Sequence, residues 1–386
     1  MKQRPAADVD VKSILTEVRR KEATFIKRLQ TLVEIESPSS DKAGVDRAQG
    51  VFAGWAESVG GKVRRHAHRE FGDSLEVRFG PAARGQKPTL LLGHLDTVWA
   101  LGTLAKMPFR VTRDRISGPG VLDMKAGVLM MLAAIEALSS TQQLHRPVIL
   151  LIHGDEEVGS PASRKLTESL ALKCESVYVL EPAQGDSGAY KTARKGVGHY
   201  RLQVDGVASH SGVDFEKGHS AVVELARQIE TLQSLTNLSK GITVNPGVIG
   251  GGTCSNVIAA QAWVEIDVRI GRMKDTAGVD RALRSRRPFD KCCKLTMSGG
   301  MNRPPMERSK GAAALFEQAQ RFAKDLGVPL EEAATGGASD GNLTAALGIP
   351  TLDGMGAVGA GAHAPHEHLQ RKHLVPRTAL LAAMLR

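Results

Sequence analysis

Aromatic residues are scarce in this chain: three tryptophans, three tyrosines and nine phenylalanines among 386 residues. A surface that stacks on exposed bases needs more of them. The basic residues are dispersed, the densest stretch being RALRSRRPFDKCCK. The net charge of +10 therefore reads as a positive field that draws in anionic small molecules, and no nucleic-acid partner is expected. Long apolar runs are also missing. Nothing reaches the roughly eighteen residues that a membrane helix needs, so no membrane partner is expected either. The opening stretch MKQRPAADVDVKSILTEVRRKEATF is charged throughout and lacks the apolar centre of a secretory signal, which gives an expectation of cytoplasmic location. Cysteine is sparse as well. Cys174, Cys254, Cys292 and Cys293 have neither a zinc-finger spacing nor a disulfide framework, and they read as buried or incidental thiols.

What remains is a soluble, glycine-rich composition on a chain long enough for two domains, or for one α/β domain carrying an insertion. Residues 10 to 35 have helical spacing, SPSSD breaks it, and GVDRAQGVFAGWAESVG resumes it. Apolar strands are expected near 88–96, 147–157 and 176–183, with a long helix opened by Asp123 in DMKAGVLMMLAAIEALSS between the first two. Strand and helix alternate and the strands are nearly all apolar, as in a mostly parallel sheet covered on both faces. After residue 196 the strands alternate instead. Strands at 199–205, 242–250, 257–270 and 293–299, with helices at 219–235 and 275–285, give β-α-β-β-α-β, a ferredoxin-like α+β module. The α/β pattern then returns. The expected fold class is α/β, with a body of residues 1–195 and 307–386 and an inserted module of residues 196–306.

Acids and histidines cluster where the parallel strands end. His94 and Asp96 follow the first strand, Asp123 lies in SGPGVLDMKAG, Glu156 and Glu157 end the second, and Glu181 ends the third. GAGAHAPHEHL adds His363, His366 and His368. Ligands of open α/β sheets bind outside the carboxyl ends of the strands, so these segments converge on one crevice. One histidine after a strand is usually a core group, and paired glutamates usually make a solvated turn. This many carboxylates at one edge would repel one another and lose hydration. Nearby arginines and lysines could neutralise part of that charge, but histidine with carboxylate is a donor set that zinc accepts. A metal site is the expectation.

GHLDTV, GPGVLDMKAG, GDEEVGS, LEP, ASHSG and GAHAPHEH, in this order over residues 20 to 386, together resemble the zinc aminoacylase and carboxypeptidase family. That family includes acetylornithine deacetylase, succinyl-diaminopimelate desuccinylase and glutamate carboxypeptidase, and the resemblance is nearest to the last. It implies a zinc-peptidase catalytic domain whose inserted module is a lid through which a homodimer forms. It implies two zinc ions bridged by Asp123, one also taking His94 and Glu181, the other Glu157 and His363, with His366 as the alternative. Manganese or cobalt would suit such ligands too. Asp96 is implied as a hydrogen-bond partner that fixes the tautomer of His94, Glu156 as general base, and His210 as a lid histidine that assists the oxyanion. The Asp123–Met124 peptide would be cis. Asn256 and Arg269 would bind a substrate carboxylate, with Gly336 and Gly337 lying against the substrate, although GGASD stands where relatives often read GGGTD. ARKGVG, Arg194 to Gly198, matches the hinge, and His153 reads as a core or supporting group. The implied activity is cleavage of an amide bond next to a free carboxylate in a small molecule or short peptide. An N-acyl amino acid deacylase, or an aminohydrolase acting on a non-peptide C–N bond, is the alternative.

Overall fold

A computed structural model describes residues 10–81 and 85–386. They divide into two compact units: one holds the described residues up to Ala193 with Arg308–Thr335 and Ser339–Arg386, and the other holds Arg194–Glu307 with Gly336–Ala338.

The first unit is built on a six-stranded sheet. Its strands are β1 (Lys62–His66), β2 (Gly72–Phe79), β3 (Thr89–His94), β4 (Val148–Gly154), β5 (Ser176–Val179) and the short Thr351–Leu352, in the order β1-β2-β4-β3-β5 followed by 351–352. The four strands from β4 to 351–352 run parallel, and β1 and β2 form an antiparallel edge. Both β3 and β4 are buried along their whole length. Successive side chains of a strand point to opposite faces, and here they feed separate cores. Leu91, Leu150 and Ile152 join the larger core on one face. Leu90, Leu92, Ile149 and Leu151 join a smaller one on the other. Each such leucine or isoleucine contributes about 1.5–3 kcal/mol by leaving water. The helix Ala126–Ser140 is apolar nearly all round and is accordingly buried against the larger core.

Three features depart from the sequence reading. The helical stretch at 10–35 is two helices, Val11–Arg20 and Glu22–Glu34, broken at Lys21. The strands β1 and β2 had no counterpart, because KVRRH at the edge is too charged to stand out. Asp123 does not open the long helix. It has extended angles (φ −114°, ψ 95°) in an irregular turn, Val121–Lys125, and the regular helix begins after it.

The second unit follows β-α-β-β-α-β: strand β6 (Gly196–Asp205), helix Ala221–Gln233, strands β7 (Thr243–Gly251) and β8 (Gln261–Ile270), helix Met273–Arg284 and strand β9 (Lys294–Arg303). Its sheet is antiparallel in the order β7-β8-β6-β9, the ferredoxin-like arrangement. Along β8 the buried residues are Ala262, Val264, Ile266, Val268 and Ile270, a period of two. They pack with Leu225, Leu232, Val279 and Leu283 from the helices.

Candidate metal centre

The order β4-β3-β5 sets three strand ends side by side. His94 is in register with His153 at the end of β4, so the turn carrying Glu156 and Glu157 emerges next to it. On the other side Leu180 N–H donates to Leu92 O at 3.0 Å, which places Glu181 at the same edge. Asp123 arrives from the irregular turn ahead of helix Ala126–Ser140. That helix comes close to β5 because residue 127 is glycine: a Cβ there would run into the Leu180 carbonyl. His363 comes from the loop between the short strands Gly359–Ala360 and His368–Gln370. It holds a left-handed backbone (φ +61°) that few non-glycine residues adopt. The Asp123–Met124 peptide is cis.

These side chains form two groups that share Asp123. His94 Nε2 lies 3.6 Å from Asp123 Oδ1 and 3.6 Å from Glu181 Oε1. His363 Nε2 lies 3.3 Å from Asp123 Oδ2 and 3.2 Å from Glu157 Oε2. One carboxylate thus faces a different histidine with each oxygen. The grouping takes in His363; His366 is exposed on the same loop.

The charges follow from this packing. Burial opposes the ionised form of Asp123, but His363 and His94 outweigh it and hold the carboxyl well below its usual range. Burial likewise opposes a charged His94, yet Asp123, Asp96 and Glu181 keep it well above the ordinary imidazole value. Asp123 and Glu157 push His363 up to about 10. Burial raises Glu157. The two imidazoles are set against the carboxyl groups of Asp123, Glu157 and Glu181. A like-charged pair about 4 Å apart costs about 4 kcal/mol at an effective dielectric of 20, and a cation set between carboxyl groups removes that cost.

A metal ion fits what is there. His94 Nε2 and Glu157 Oε1 are buried and make no hydrogen bond. Donor separations of 3.2–3.6 Å suit ligands arranged around a centre about 2 Å from each, and imidazole with carboxylate is a zinc-type donor set.

Asp96 meets His94 mainly through its main chain. His94 Nδ1 is bonded to the main-chain carbonyl of Asp96 at 2.9 Å, while the Asp96 carboxylate is 3.4 Å away. That carboxylate instead accepts the N–H groups of Glu156 (3.2 Å) and Glu157 (3.1 Å) and the hydroxyl of Ser39 (2.7 Å). Asp96 therefore ties His94 to the glutamate turn through its two ends. His153 is buried, with Nδ1 on Ser74 Oγ (2.9 Å) and Nε2 on Thr167 Oγ1 (2.7 Å), a satisfied core group.

Sequence reasoning missed Glu367. Its buried carboxylate accepts N–H groups from Gly120 (3.0 Å), Leu122 (2.8 Å) and Asp123 (3.1 Å), and the indole N–H of Trp99 (2.8 Å). The available signal was an acid set among histidines in GAHAPHEHL. Lys125 was missed too; its ammonium donates to Leu32 O and Ile35 O at the end of helix Glu22–Glu34, both at 2.9 Å.

The remaining candidates lie in the second unit. Arg269 gives its Nε and Nη2 to Asp267 (2.8 and 2.9 Å) and directs Nη1 to Gly336 O at 3.4 Å. One edge of the guanidinium is thus taken. Gly337 O accepts from Arg194 Nη1 at 3.2 Å. His210 Nδ1 accepts the N–H groups of Gly212 (3.1 Å) and Val213 (3.2 Å), and Asn256 O receives Ser211 N–H at 3.0 Å.

Known proteins resemble this chain in sequence and in fold. The family model for peptidase family M20/M25/M40 matches residues 90–386. Carboxypeptidase G2 of Pseudomonas sp. (strain RS-16) is 30% identical over 368 residues, covering 93% of this chain and 88% of that protein. Acetylornithine deacetylase of Salmonella arizonae is 27% identical over 264 residues, covering 64% of this chain and 67% of that protein. The crystal structure of aminopeptidase PepT from Bacillus cereus has the same fold at a TM-score of 0.79 and 20% identity, covering 94% of this chain and 98% of that one. The chain belongs to peptidase family M20/M25/M40 and is a metal-dependent hydrolase.

Proposed function

We propose that the protein is a dizinc hydrolase that cleaves an amide bond next to a free carboxylate and releases a C-terminal amino acid, glutamate or one like it. The observation that carries this reading is the division of Asp123 between two histidine–carboxylate groups. The likeness to a carboxypeptidase over 93% of the chain supports the substrate class.

One ion would be held by His94, Asp123 and Glu181, the other by Asp123, Glu157 and His363. Zinc suits these donors, and manganese or cobalt would be accepted. When bound, such ions acidify water and polarise a carbonyl. Glu156, half-buried in the turn after β4, takes the proton of the attacking water onto a carboxylate oxygen. It then gives that proton to the amine nitrogen, so the amine leaves neutral. Asp96 keeps the main chain of this turn fixed.

His210, whose Nδ1 is occupied as an acceptor, is left to donate from Nε2 to the developing oxyanion. Arg269 and Asn256 bind the substrate carboxylate, with Gly336 and Gly337 alongside. Asp267 fixes the plane of the guanidinium and so orients its outer nitrogen, Nη1. The active form is a homodimer joined through residues 196–306. Val248 and Ile249 on the edge strand β7 are 52% and 64% exposed, and an apolar edge of this kind is covered in stable proteins.

A panel of acyl-glutamates, acetylated amino acids and aromatic amides tests the substrate class. Turnover is expected with acyl-glutamates, and its absence for all of them removes the assignment. Glu156→Ala should abolish turnover while leaving metal content unchanged; retained activity refutes the base.

A further inference from the structure

We propose that the second unit carries a metal site of its own, formed by His219, Asp290 and Cys292. One donor atom from each lies within 4.8 Å of the others. His219 Nδ1 is 2.7 Å from Asp290 Oδ2, and the other oxygen of Asp290 accepts the Cys292 N–H at 2.9 Å.

The backbone that presents these groups is held in place. His219 exchanges both main-chain hydrogen bonds with Val207 (2.9 Å each) just before helix Ala221–Gln233. The segment carrying Asp290 is fastened to that helix by the buried Glu224, which accepts N–H groups from Phe289 (3.1 Å) and Asp290 (2.9 Å). Gln228 on the same helix donates to Arg287 O at 2.9 Å. Two chain segments some 70 residues apart are thereby fixed with their donors converging, and an ion gains most where donors are already arranged.

Chemistry selects the ion. Imidazole, carboxylate and thiolate form a set for zinc, cobalt or cadmium; magnesium and calcium prefer oxygen alone. Three protein donors leave one position for water. The site is separate from the main centre, whose donors contain no sulfur. Its effect would be to staple the start of helix Ala221–Gln233 to the segment that leads into β9.

Cobalt titration of the metal-free full chain tests this. A bound thiolate gives a near-ultraviolet sulfur-to-cobalt charge-transfer band that histidine and carboxylate cannot produce. The expected result is such a band, lost in Cys292→Ser and in His219→Ala, with bound metal falling by one equivalent per chain and hydrolysis unchanged in Cys292→Ser. No charge-transfer band at saturation, or a band that persists in Cys292→Ser, overturns the proposal.

Discussion

Glu367 holds Asp123 from behind: its Oε1 accepts the Asp123 N–H at 3.1 Å and the Leu122 N–H at 2.8 Å, while Oε2 takes Gly120 N–H and the Trp99 indole. Burial raises this carboxyl, and four donors offset that cost. Replacing it with alanine strands main-chain N–H groups at roughly 1–3 kcal/mol each. Glu367→Ala should weaken metal binding about 10–100-fold, the usual range for a partner behind a ligand. Competition against a chromogenic chelator reads this directly. Wild-type affinity would show that the Asp123 turn stands unaided.

Asp96 is the second such support. Its carboxylate fixes the N–H groups of Glu156 and Glu157, so Asp96→Asn places an amide donor against them. The expected outcome is a fall in kcat of about 10–100-fold, with a smaller fall for Ser39→Ala, which removes one donor to the same carboxylate. Steady-state kinetics at matched metal content measure it. Unchanged kcat in Asp96→Asn contradicts the role.

Arg269 should act on binding. A hydrogen bond to a charged group contributes about 1.5–3 kcal/mol, so Arg269→Lys should raise KM about 10–100-fold and leave kcat nearly as it was. Asp267→Ala, which frees the guanidinium to swing, should raise KM less. A loss confined to kcat would place Arg269 in the chemical step instead.

The thiols give a test of the fold. Cys254 and Cys292 are exposed, and Cys174 and Cys293 are buried. Burial pushes the Cys174 thiol up to about 11, so at pH 8 it stays protonated and unreactive. A disulfide reagent at pH 8 should titrate two thiols quickly in the metal-free native chain and all four after unfolding. Fast reaction of three or four in the native chain would mean that the core around Val177 and Leu170 is not packed as described.

Much of this arrangement was legible in the sequence. Apolar runs ending in His94, Glu157 and Glu181 marked the parallel strands and their common edge, because a buried strand has no use for such groups. The alternation in AWVEIDVRI similarly marked a half-exposed sheet. What escaped depends on contacts distant along the chain. Glu367 is one acid among histidines until the fold brings Gly120, Leu122 and Asp123 to it. Ser39 lay in a stretch that read only as a helix break. Asp123 looked like a helix cap, since local spacing does not distinguish a cap from an extended residue just ahead of one. His363 and His366 differ by three positions in one loop, and only the tertiary structure groups the first with Asp123 and Glu157.

The proposed sharing of Asp123 between two metal ions is tested most directly by following hydrolysis of an acyl-glutamate against metal content in Cys292→Ser, where the proposed main centre alone contributes. After exhaustive chelation the chain should be inactive, and full activity should return at two equivalents of zinc per chain. Full activity with no metal bound, or full activity at one equivalent, would contradict it.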